Sequence, residues 1–232
     1  IDSSYQELAE YVNAYEQKMQ MKRENISDRG IWTAKKRYIL NVWDSEGVRY
    51  EKAKLKMMGI EAVKSSTPAP CRTKIKDALS IIMNKTEDDL IDFIQSFRKD
   101  FFKLPPEEIS FPRSVNELSK YKSTSEIYRS GTPIHSRGAL LYNHYIKDKG
   151  LETKYPIINN GEKIKFCYLK KANPIRENVL SFIQQFPKEL GLNKYVDYDL
   201  QFEKSFIEPI KNILNCIGWS VEKKNNLDSL FS

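Results

Sequence analysis

Lys64-Ser65-Ser66-Thr67-Pro68-Ala69-Pro70 marks a change in the character of the sequence. Hydroxyl side chains followed by two prolines are typical of a loop that leads into a helix, because proline suits the first helical turn but not the helix interior. Short segments with strand character precede this loop, and apolar residues at helical spacing follow it. We therefore predict a domain boundary between residues 64 and 65.

The segment before the loop predicts one short helix and a small antiparallel sheet. Leu8, Val12 and Tyr15 recur at helical spacing after a Ser3-Ser4 cap. Alternating apolar and polar residues predict strands in the remainder of this segment, and turn-forming residues separate them. The predicted elements are a helix over 5–15, a strand over 18–24, a turn at Asp28-Arg29-Gly30, strands over 31–43 and 47–50, and a hairpin turn at Asp44-Ser45-Glu46-Gly47.

The segment after the loop is predicted to be mainly helical, so the fold class is α+β. Thr86-Glu87-Asp88-Asp89 resembles a capping box, and Pro209 should kink or divide the last helix. Residues 222–232 lack a useful period and are predicted to form a mobile tail. The predicted elements are helices around Ile75–Ile82, over 86–101, over 135–147, near 175–186 and over 197–217, and a strand over 164–169.

Composition restricts the class of protein. The chain has 232 residues, 40% of them hydrophobic and 12% aromatic, which is typical of a folded protein. It contains no run of about 18 apolar residues that could span a membrane, so we expect a soluble protein with no membrane partner. Its three cysteines are far apart and suggest neither a disulfide framework nor zinc, which fits a reducing cytoplasm.

Positive charge is concentrated in one stretch. Residues 29–76 contain 12 basic and 4 acidic residues, a net charge of +8, while the remainder of the chain is close to neutral. A local basic stretch is expected of a protein that binds a polyanion such as nucleic acid. A solvated, lysine-rich face would give the same pattern.

Motifs for metal or nucleophilic catalysis are not evident. His135 and His144 are nine residues apart, too far around a helix to share a metal in the usual way. Asp88-Asp89 suits the first turn of a helix, and nothing beside Asp197 and Asp199 completes a cation site. We predict no catalytic and no metal-binding residue in this chain.

Trp32-Thr33-Ala34-Lys35-Lys36-Arg37-Tyr38 combines three cations with an aromatic side chain. On a strand, Lys36 and Tyr38 would lie on one face and Lys35 and Arg37 on the other. Such a strand could present charge to phosphates and a phenol to a groove. An exposed strand without a ligand remains the alternative.

Four segments together resemble family B DNA polymerases over nearly the whole chain. Lys35-Lys36-Arg37-Tyr38 is similar to the K-K-x-Y motif, and residues 56–68 are similar to the K-x-x-G-[IL]-E-x-x-K-S-S-T-P segment at the transition from palm to thumb. His135-Ser136-Arg137-Gly138 and residues 198–209 resemble thumb segments of the T-even phage branch. The resemblance implies a C-terminal palm segment over 1–64 and a thumb over 65–221.

The resemblance also implies a set of DNA contacts in the palm segment, the loop and the thumb. Ser65 and Ser66 could cap the following helix and also donate to a phosphate, and Gly59 and Gly138 should allow close backbone approach. The implied DNA-binding residues are Lys35, Lys36, Arg37, Tyr38, Lys56, Lys64, Ser65, Ser66, Thr67, His135 and Arg137.

The last residues resemble the C-terminal peptide with which T-even polymerases bind their sliding clamp. Leu227, Leu230 and Phe231 would be the apolar anchors of such a peptide. A frayed terminus is the alternative for this short motif.

The D-T-D motif that binds magnesium in this family does not occur in the sequence, and neither do the fingers helix and the exonuclease acids. The resemblance therefore implies no cofactor here and magnesium in a missing palm portion.

The expected chain is the C-terminal fragment or split subunit of a DNA-directed DNA polymerase, inactive alone, in the cytoplasm of an infected bacterium. Its expected partners are primer-template DNA, the N-terminal polymerase portion and a sliding clamp. The alternatives are a stand-alone DNA-binding or clamp-binding accessory protein and an unrelated basic protein.

Overall fold

The computed structural model describes residues 2–16, 18 and 21–223. The fold is α+β, as predicted, with two antiparallel sheets of three strands and helices packed on the second sheet. The strand orders are β1-β2-β3 and β4-β5-β6. The strands and helices are α1 (Asp2–Tyr11), β1 (Asn25–Ala34), β2 (Arg37–Ser45), β3 (Val48–Met58), α2 (Ala69–Asn84), α3 (Glu87–Phe101), α4 (Pro106–Ile109), β4 (Phe111–Ser114), α5 (Leu118–Tyr121), α6 (Ile134–Asp148), β5 (Lys163–Tyr168), β6 (Val179–Phe182), α7 (Tyr198–Phe202), a π-helical segment (Glu203–Ile207) and α8 (Glu208–Leu214).

The described residues form two compact units. The first unit consists of residues 1–31 and 39–57, and the second of residues 32–38 and 58–232, as far as these are described. The first unit therefore contains most of the first sheet, whereas the tip of its first hairpin belongs to the second. The predicted palm, thumb and tail over 1–64, 65–221 and 222–232 stay a prediction.

The turn between β2 and β3 is the predicted hairpin. The Asp44 side chain is buried and accepts hydrogen bonds from the Gly47 N–H at 3.0 Å and from Arg23 Nη2 at 3.3 Å. Glu46 and Gly47 have φ values of 53° and 90°. One aspartate thus closes the turn, the role for which this residue type is favoured.

Three other predictions for the first unit are wrong. Helix α1 begins at Asp2, so Ser3 and Ser4 lie inside it and do not cap it. The described residues of 18–24 form no strand, because β1 begins only at Asn25. Asp28-Arg29-Gly30 lies within β1, where the Asp28 carboxylate accepts a cross-strand hydrogen bond from Asn41 Nδ2 at 2.8 Å. A cross-strand partner thus satisfies a side chain that local chemistry assigns to a turn.

The second sheet includes a strand where the sequence predicts a helix near 175–186. β6 hydrogen-bonds to β5, and all four of its residues are buried. A short buried strand has neither the alternation of an exposed strand nor the period of a helix. Pairing with β5 therefore decides its conformation.

Helix α6 packs closely against β6 because Gly138 has no side chain. A Cβ atom at Gly138 would stand 2.5 Å from Ser181 Oγ and 2.9 Å from the Ser181 nitrogen. Ser181 Oγ donates to the carbonyl of His135 at 2.9 Å. The predicted close approach at Gly138 is confirmed, and it is made by chain against chain.

The predicted capping box begins α3. Thr86 Oγ1 accepts from the Asp89 N–H at 3.3 Å, and the Asp89 carboxylate accepts from the Thr86 N–H at 3.1 Å. Helix α3 packs on α2 as predicted. Its Phe97 ring lies 4.7 Å from the ring of Phe206, which joins α3 to the last helix.

The last helix changes its hydrogen-bonding pattern just before Pro209, where the sequence predicts a kink or a division. Helix α7 passes into the π-helical segment before α8 begins, and the Glu208 N–H donates to the carbonyl of Glu203, five residues earlier. A proline ring clashes with the carbonyl four residues before it in an α-helix. The wider π turn accommodates Pro209 without ending the helix.

The three cysteines differ in exposure. Cys71 and Cys167 are fully buried, and burial raises the pKa of these thiols to about 11 and about 12. Cys71 Sγ donates to Ser205 Oγ at 3.3 Å. Cys216 is exposed after α8.

Candidate nucleic-acid interface

Lys35-Lys36-Arg37-Tyr38 lies at the tip of the first hairpin. β1 ends at Ala34 and β2 begins at Arg37, so Lys35 and Lys36 form a two-residue turn. The predicted strand, with Lys35 and Arg37 on one face and Lys36 and Tyr38 on the other, is therefore wrong. Lys36 has a φ of 62°, a left-handed conformation that nothing in the local sequence predicts for a lysine. Both lysines are exposed, while Arg37 and Tyr38 are half-buried.

Gly59 packs closely against this hairpin tip. Its φ is +68°, and a Cβ atom there would stand 2.5 Å from the Lys36 carbonyl oxygen and 2.9 Å from Arg37 Cγ. The predicted close approach at Gly59 is thus confirmed as contact of chain with chain. Two motifs that are separated in sequence meet at this residue.

The Glu61 carboxylate joins the hairpin tip to the loop after it. Arg37 Nη2 donates to Oε2 of Glu61 and Lys64 Nζ donates to Oε1, both at 2.9 Å. Burial alone would raise the pKa of Glu61, but these two bonds, with the Lys64 bond first, hold that pKa below its usual value. Glu61 is therefore ionised at neutral pH and pairs with two cations.

The loop from Lys64 to Pro68 is a compact turn. Thr67 is buried, and its N–H donates to the carbonyl of Lys64 at 3.2 Å. Pro68 is the N-cap residue of α2 and no side chain caps this helix, so the prediction that Ser65 or Ser66 caps it is wrong. Ser65 is exposed and Ser66 half-buried.

Arg113 on β4 holds the loop from the other side. Its Nη1 donates to the carbonyl oxygens of Ser66 and Pro112, each at 2.9 Å. The guanidinium carbon lies 5.9 Å from the ring centre of Phe111 and 6.0 Å from that of Phe166. Arg113 thus connects the Ser65-Ser66-Thr67 loop to the aromatic face of the second sheet.

His135 lies beside this arginine in the first turn of α6. Its ring centre is 6.5 Å from that of Phe166. Burial, and then the charge of Arg113, lower the pKa of His135 below its ordinary value. The imidazole is therefore neutral at pH 7 and would meet a phosphate as a hydrogen-bond donor without charge.

Arg137 is held by neighbouring side chains. Its Nη2 donates to Asn178 Oδ1, and its guanidinium carbon lies 5.6 Å from the ring centre of Tyr128. The Tyr128 hydroxyl donates to Glu177 Oε1 at 2.7 Å. The Nε atom of Arg137 is buried and has no hydrogen-bond partner among the described residues. Arg137 therefore fastens the segment before α6 to the segment before β6.

These contacts form one chain within the second unit. Gly59 and Glu61 hold Arg37, Glu61 holds Lys64, Arg113 holds the carbonyl of Ser66, and His135 lies beside Arg113. Four of the ten predicted DNA-binding residues of this unit therefore belong to one connected cluster, although the sequence separates them by up to about 100 residues. We call Arg37, Glu61, Lys64, Ser66, Arg113 and His135 the basic cluster.

Comparison with known proteins indicates the same family as the motifs that meet in the basic cluster. The sequence model of DNA polymerase family B matches residues 3–217. The chain belongs to this family. The alternative of an unrelated basic protein is thereby excluded.

Two phage polymerases are similar to this family B chain over its whole length. It is 31% identical to the DNA-directed DNA polymerase of Enterobacteria phage T4 over 243 aligned positions, and 33% identical to that of Escherichia phage RB69 over 244. The alignments cover 100% of this chain and 26% of each relative. The chain thus spans about a quarter of the length of these polymerases.

Lys56 and the predicted clamp-binding residues are not members of the basic cluster. Lys56 is on β3 in the first unit, where its Nζ lies 3.5 Å from Glu24 Oε2. The predicted clamp-binding residues Leu227, Leu230 and Phe231 lie outside the described residues. Their assignment stays a prediction.

Sequence reasoning missed several residues that organise this family B site. Glu61 stands inside a quoted motif, but nothing local shows that it pairs with Arg37, 24 residues earlier. Arg113 stands in no motif, and its role depends on the pairing of β4 with β5. Asn178 and Tyr128 are likewise defined only by their contacts with Arg137.

The acidic residues considered as cation ligands have structural roles. Asp88 and Asp89 lie in the first turn of α3, Asp197 caps α7, and the Asp199 carboxylate accepts from Arg98 Nη2 at 2.6 Å. Among the residues that the structure describes, no group of three or more His, Cys, Asp or Glu side chains could hold a metal ion. No described helix is long and apolar enough to cross a membrane.

Proposed function

We propose that this chain is the C-terminal part of a family B DNA polymerase, as a split subunit or a fragment, and that it grips the duplex of primer and template. The palm and thumb assignments, the inactivity of the isolated chain and its place in the infected bacterium belong to the same proposal. Nucleotide addition, with its magnesium-binding carboxylates, takes place on the portion that this chain does not span. The contribution of this chain is to position the primer end, since gripping the product duplex keeps that end in place.

The basic cluster is the observation that supports this proposal most. It brings the K-K-x-Y tip, the Lys64–Thr67 loop and the start of α6 to one connected surface. Arginine, lysine and hydroxyl side chains on such a surface can donate to successive phosphates of a nucleic-acid backbone. Contacts of this kind fix the register of the duplex without reading its sequence.

We also propose that residues 222–232 tether the polymerase to a sliding clamp through Leu227, Leu230 and Phe231. Support comes from the sequence of the tail, whose apolar residues could fill a pocket on a partner. A tether of this kind would raise the effective concentration of the polymerase at the primer end. Removal of residues 224–232 should abolish clamp binding and leave DNA binding unchanged.

Binding to a labelled primer-template over a series of salt concentrations tests the proposed grip. The double variant Lys35→Ala with Lys36→Ala should bind more weakly, with a salt slope lower by roughly 0.9 for each lost phosphate contact. Lys170→Ala with Lys171→Ala removes another adjacent pair of exposed lysines and should leave the slope unchanged. An equal slope for both double variants would refute the assignment of Lys35 and Lys36.

Addition of the remaining polymerase portion tests the proposed place in the enzyme. A separately produced upstream portion should associate with this chain and extend a primer only in its presence. Binding to DNA without restored extension would favour the alternative, an accessory protein that binds DNA or the clamp on its own.

A further inference from the structure

Arg113 is already fixed in place without a ligand. Both hydrogens of its Nη1 are used, because this atom donates to the carbonyl oxygens of Ser66 and Pro112. The guanidinium also lies beside Phe111 and Phe166, whose rings stack with centres 5.3 Å apart and are register partners of β4 and β5. An arginine held in this way loses little side-chain freedom when it binds something else.

The other side of the same guanidinium is unused. Nε and Nη2 of Arg113 donate to no residue in the described part of the chain, and no described carboxylate forms an ion pair with this arginine. Arg37 is different, since Glu61 already pairs with it. The nearby imidazole of His135 is neutral at pH 7, so it adds no second charge and does not neutralise the first.

The unused donors have a geometry that suits one class of ligand. The Nε–H and one Nη2–H of an arginine are parallel and fit two oxygens of a phosphate or carboxylate group. They lie next to a loop with the exposed Ser65, and a hydroxyl can add a hydrogen bond to the same group. In a family B polymerase, the abundant ligand with paired anionic oxygens is the phosphodiester backbone.

We propose that Arg113 binds one phosphodiester of the nucleic-acid backbone through Nε and Nη2, while its Nη1 holds the Ser65-Ser66-Thr67 loop beside that phosphate. This inference rests on the proposed grip on duplex DNA and adds a contact that no motif contains. It makes Arg113 a binding residue and also the residue that positions the loop.

The salt dependence of primer-template binding separates a phosphate contact from a purely structural role. Arg113→Gln should lower the salt slope by about 0.9, the value for one lost phosphate contact. Arg113→Lys keeps a point charge but loses the paired donors, so it should bind more weakly with a slope near that of the unaltered chain. Arg98→Gln, which removes an exposed arginine of α3, is the matched control and should change neither the affinity for primer-template nor the salt slope.

Each outcome decides the matter. A slope that is unchanged in Arg113→Gln, or that falls equally in both Arg113 variants, would mean that Arg113 acts only through the loop and would overturn the inference. A steep slope for the unaltered chain with either of these results would leave the proposed function standing. Absence of DNA binding by the unaltered chain would overturn both.

A second measurement covers the case in which Arg113→Gln does not fold, as judged by circular dichroism. Single phosphates of the duplex are replaced by uncharged methylphosphonates, and binding is compared between the unaltered chain and Arg113→Lys. One position should weaken binding of the unaltered chain and have a clearly smaller effect on the variant, because the methyl group replaces an oxygen of the paired hydrogen bonds that the variant already lacks. If every position affects both proteins equally, Arg113 binds no phosphate.

Discussion

A Cβ atom on Gly59 would stand 2.5 Å from the carbonyl oxygen of Lys36. The segment that follows β3 therefore supports the turn that presents Lys35 and Lys36. Because Gly59 also has a φ of +68°, two independent constraints exclude a larger residue at this position.

Replacement of Gly59 should separate these two constraints. Gly59→Ala should lower the free energy of unfolding by about 2–4 kcal/mol, since it adds steric overlap to the cost of a left-handed alanine. Gly191 has the same φ of +68° but no atom within 4 Å of an added Cβ. Gly191→Ala should therefore cost only about 1 kcal/mol. Equal losses in chemical denaturation would show that the Lys36 contact yields easily.

The Glu61 carboxylate should make stability depend on pH. Its pKa is lower in the folded chain than the ordinary 4.5, so ionised Glu61 stabilises the fold above that pH, and this contribution is lost as the pH falls through the folded value. The difference in free energy of unfolding between the unaltered chain and Glu61→Gln should thus be largest near pH 7 and shrink below pH 4.5.

A matched substitution makes this pH test specific. Glu51→Gln replaces an exposed glutamate on β3 and should show no such trend. A difference for Glu61→Gln that stays constant from pH 7 to pH 3 would contradict the pairing of Glu61 with Arg37 and Lys64.

The contact between α6 and β6 should reverse the usual effect of glycine replacement in a helix. In an exposed helix interior, alanine is about 1 kcal/mol more favourable than glycine. Gly138→Ala should instead destabilise the chain by about 1–3 kcal/mol, because the added methyl group meets Ser181. His144→Ala, at an exposed position of the same helix, should change the stability by less than about 0.5 kcal/mol. A rise in melting temperature for Gly138→Ala would refute this packing.

Gln201 should contribute more to the stability of the fold than a polar residue in a helix usually does. It is fully buried, its Nε2 donates to the carbonyl of Ile109 at 2.7 Å, and its Oε1 accepts from the Tyr168 N–H at 3.2 Å. Gln201→Leu would leave a buried carbonyl and a buried N–H without partners, at a cost of about 2–4 kcal/mol. Gln95→Leu on the exposed face of α3 is the control, and similar denaturation midpoints for the two variants would contradict this role.

The longer helices after the loop could be predicted from sequence because their signals are local, whereas the short α4 and α5 were not predicted. Thr86 and Asp89 cap α3 from within one turn, and Pro209 alters the last helix at its own position. Such signals need no knowledge of distant residues. The strand β6 has no equivalent, since four buried residues between Val179 and Phe182 become a strand only by pairing with β5.

The site was predictable in its members but not in its arrangement. The resemblance to family B polymerases named Lys64, Ser66 and His135, and the structure shows how they are connected. Arg113 joins Ser66 to the sheet across 47 residues of sequence, and no local pattern predicts a contact of that range. The turn at Lys36 was missed for another reason, since a lysine with positive φ looks in sequence like any other lysine.

The unequal burial of the cysteines provides a chemical handle for all these measurements. Thiolates react with maleimides and thiols hardly do, so the raised pKa and full burial of Cys71 and Cys167 protect them while the chain is folded. Cys216 is exposed and can be labelled with a single fluorophore without mutation. Each unfolded molecule would take up three labels instead of one, so the mass of the labelled chain counts the folded fraction directly.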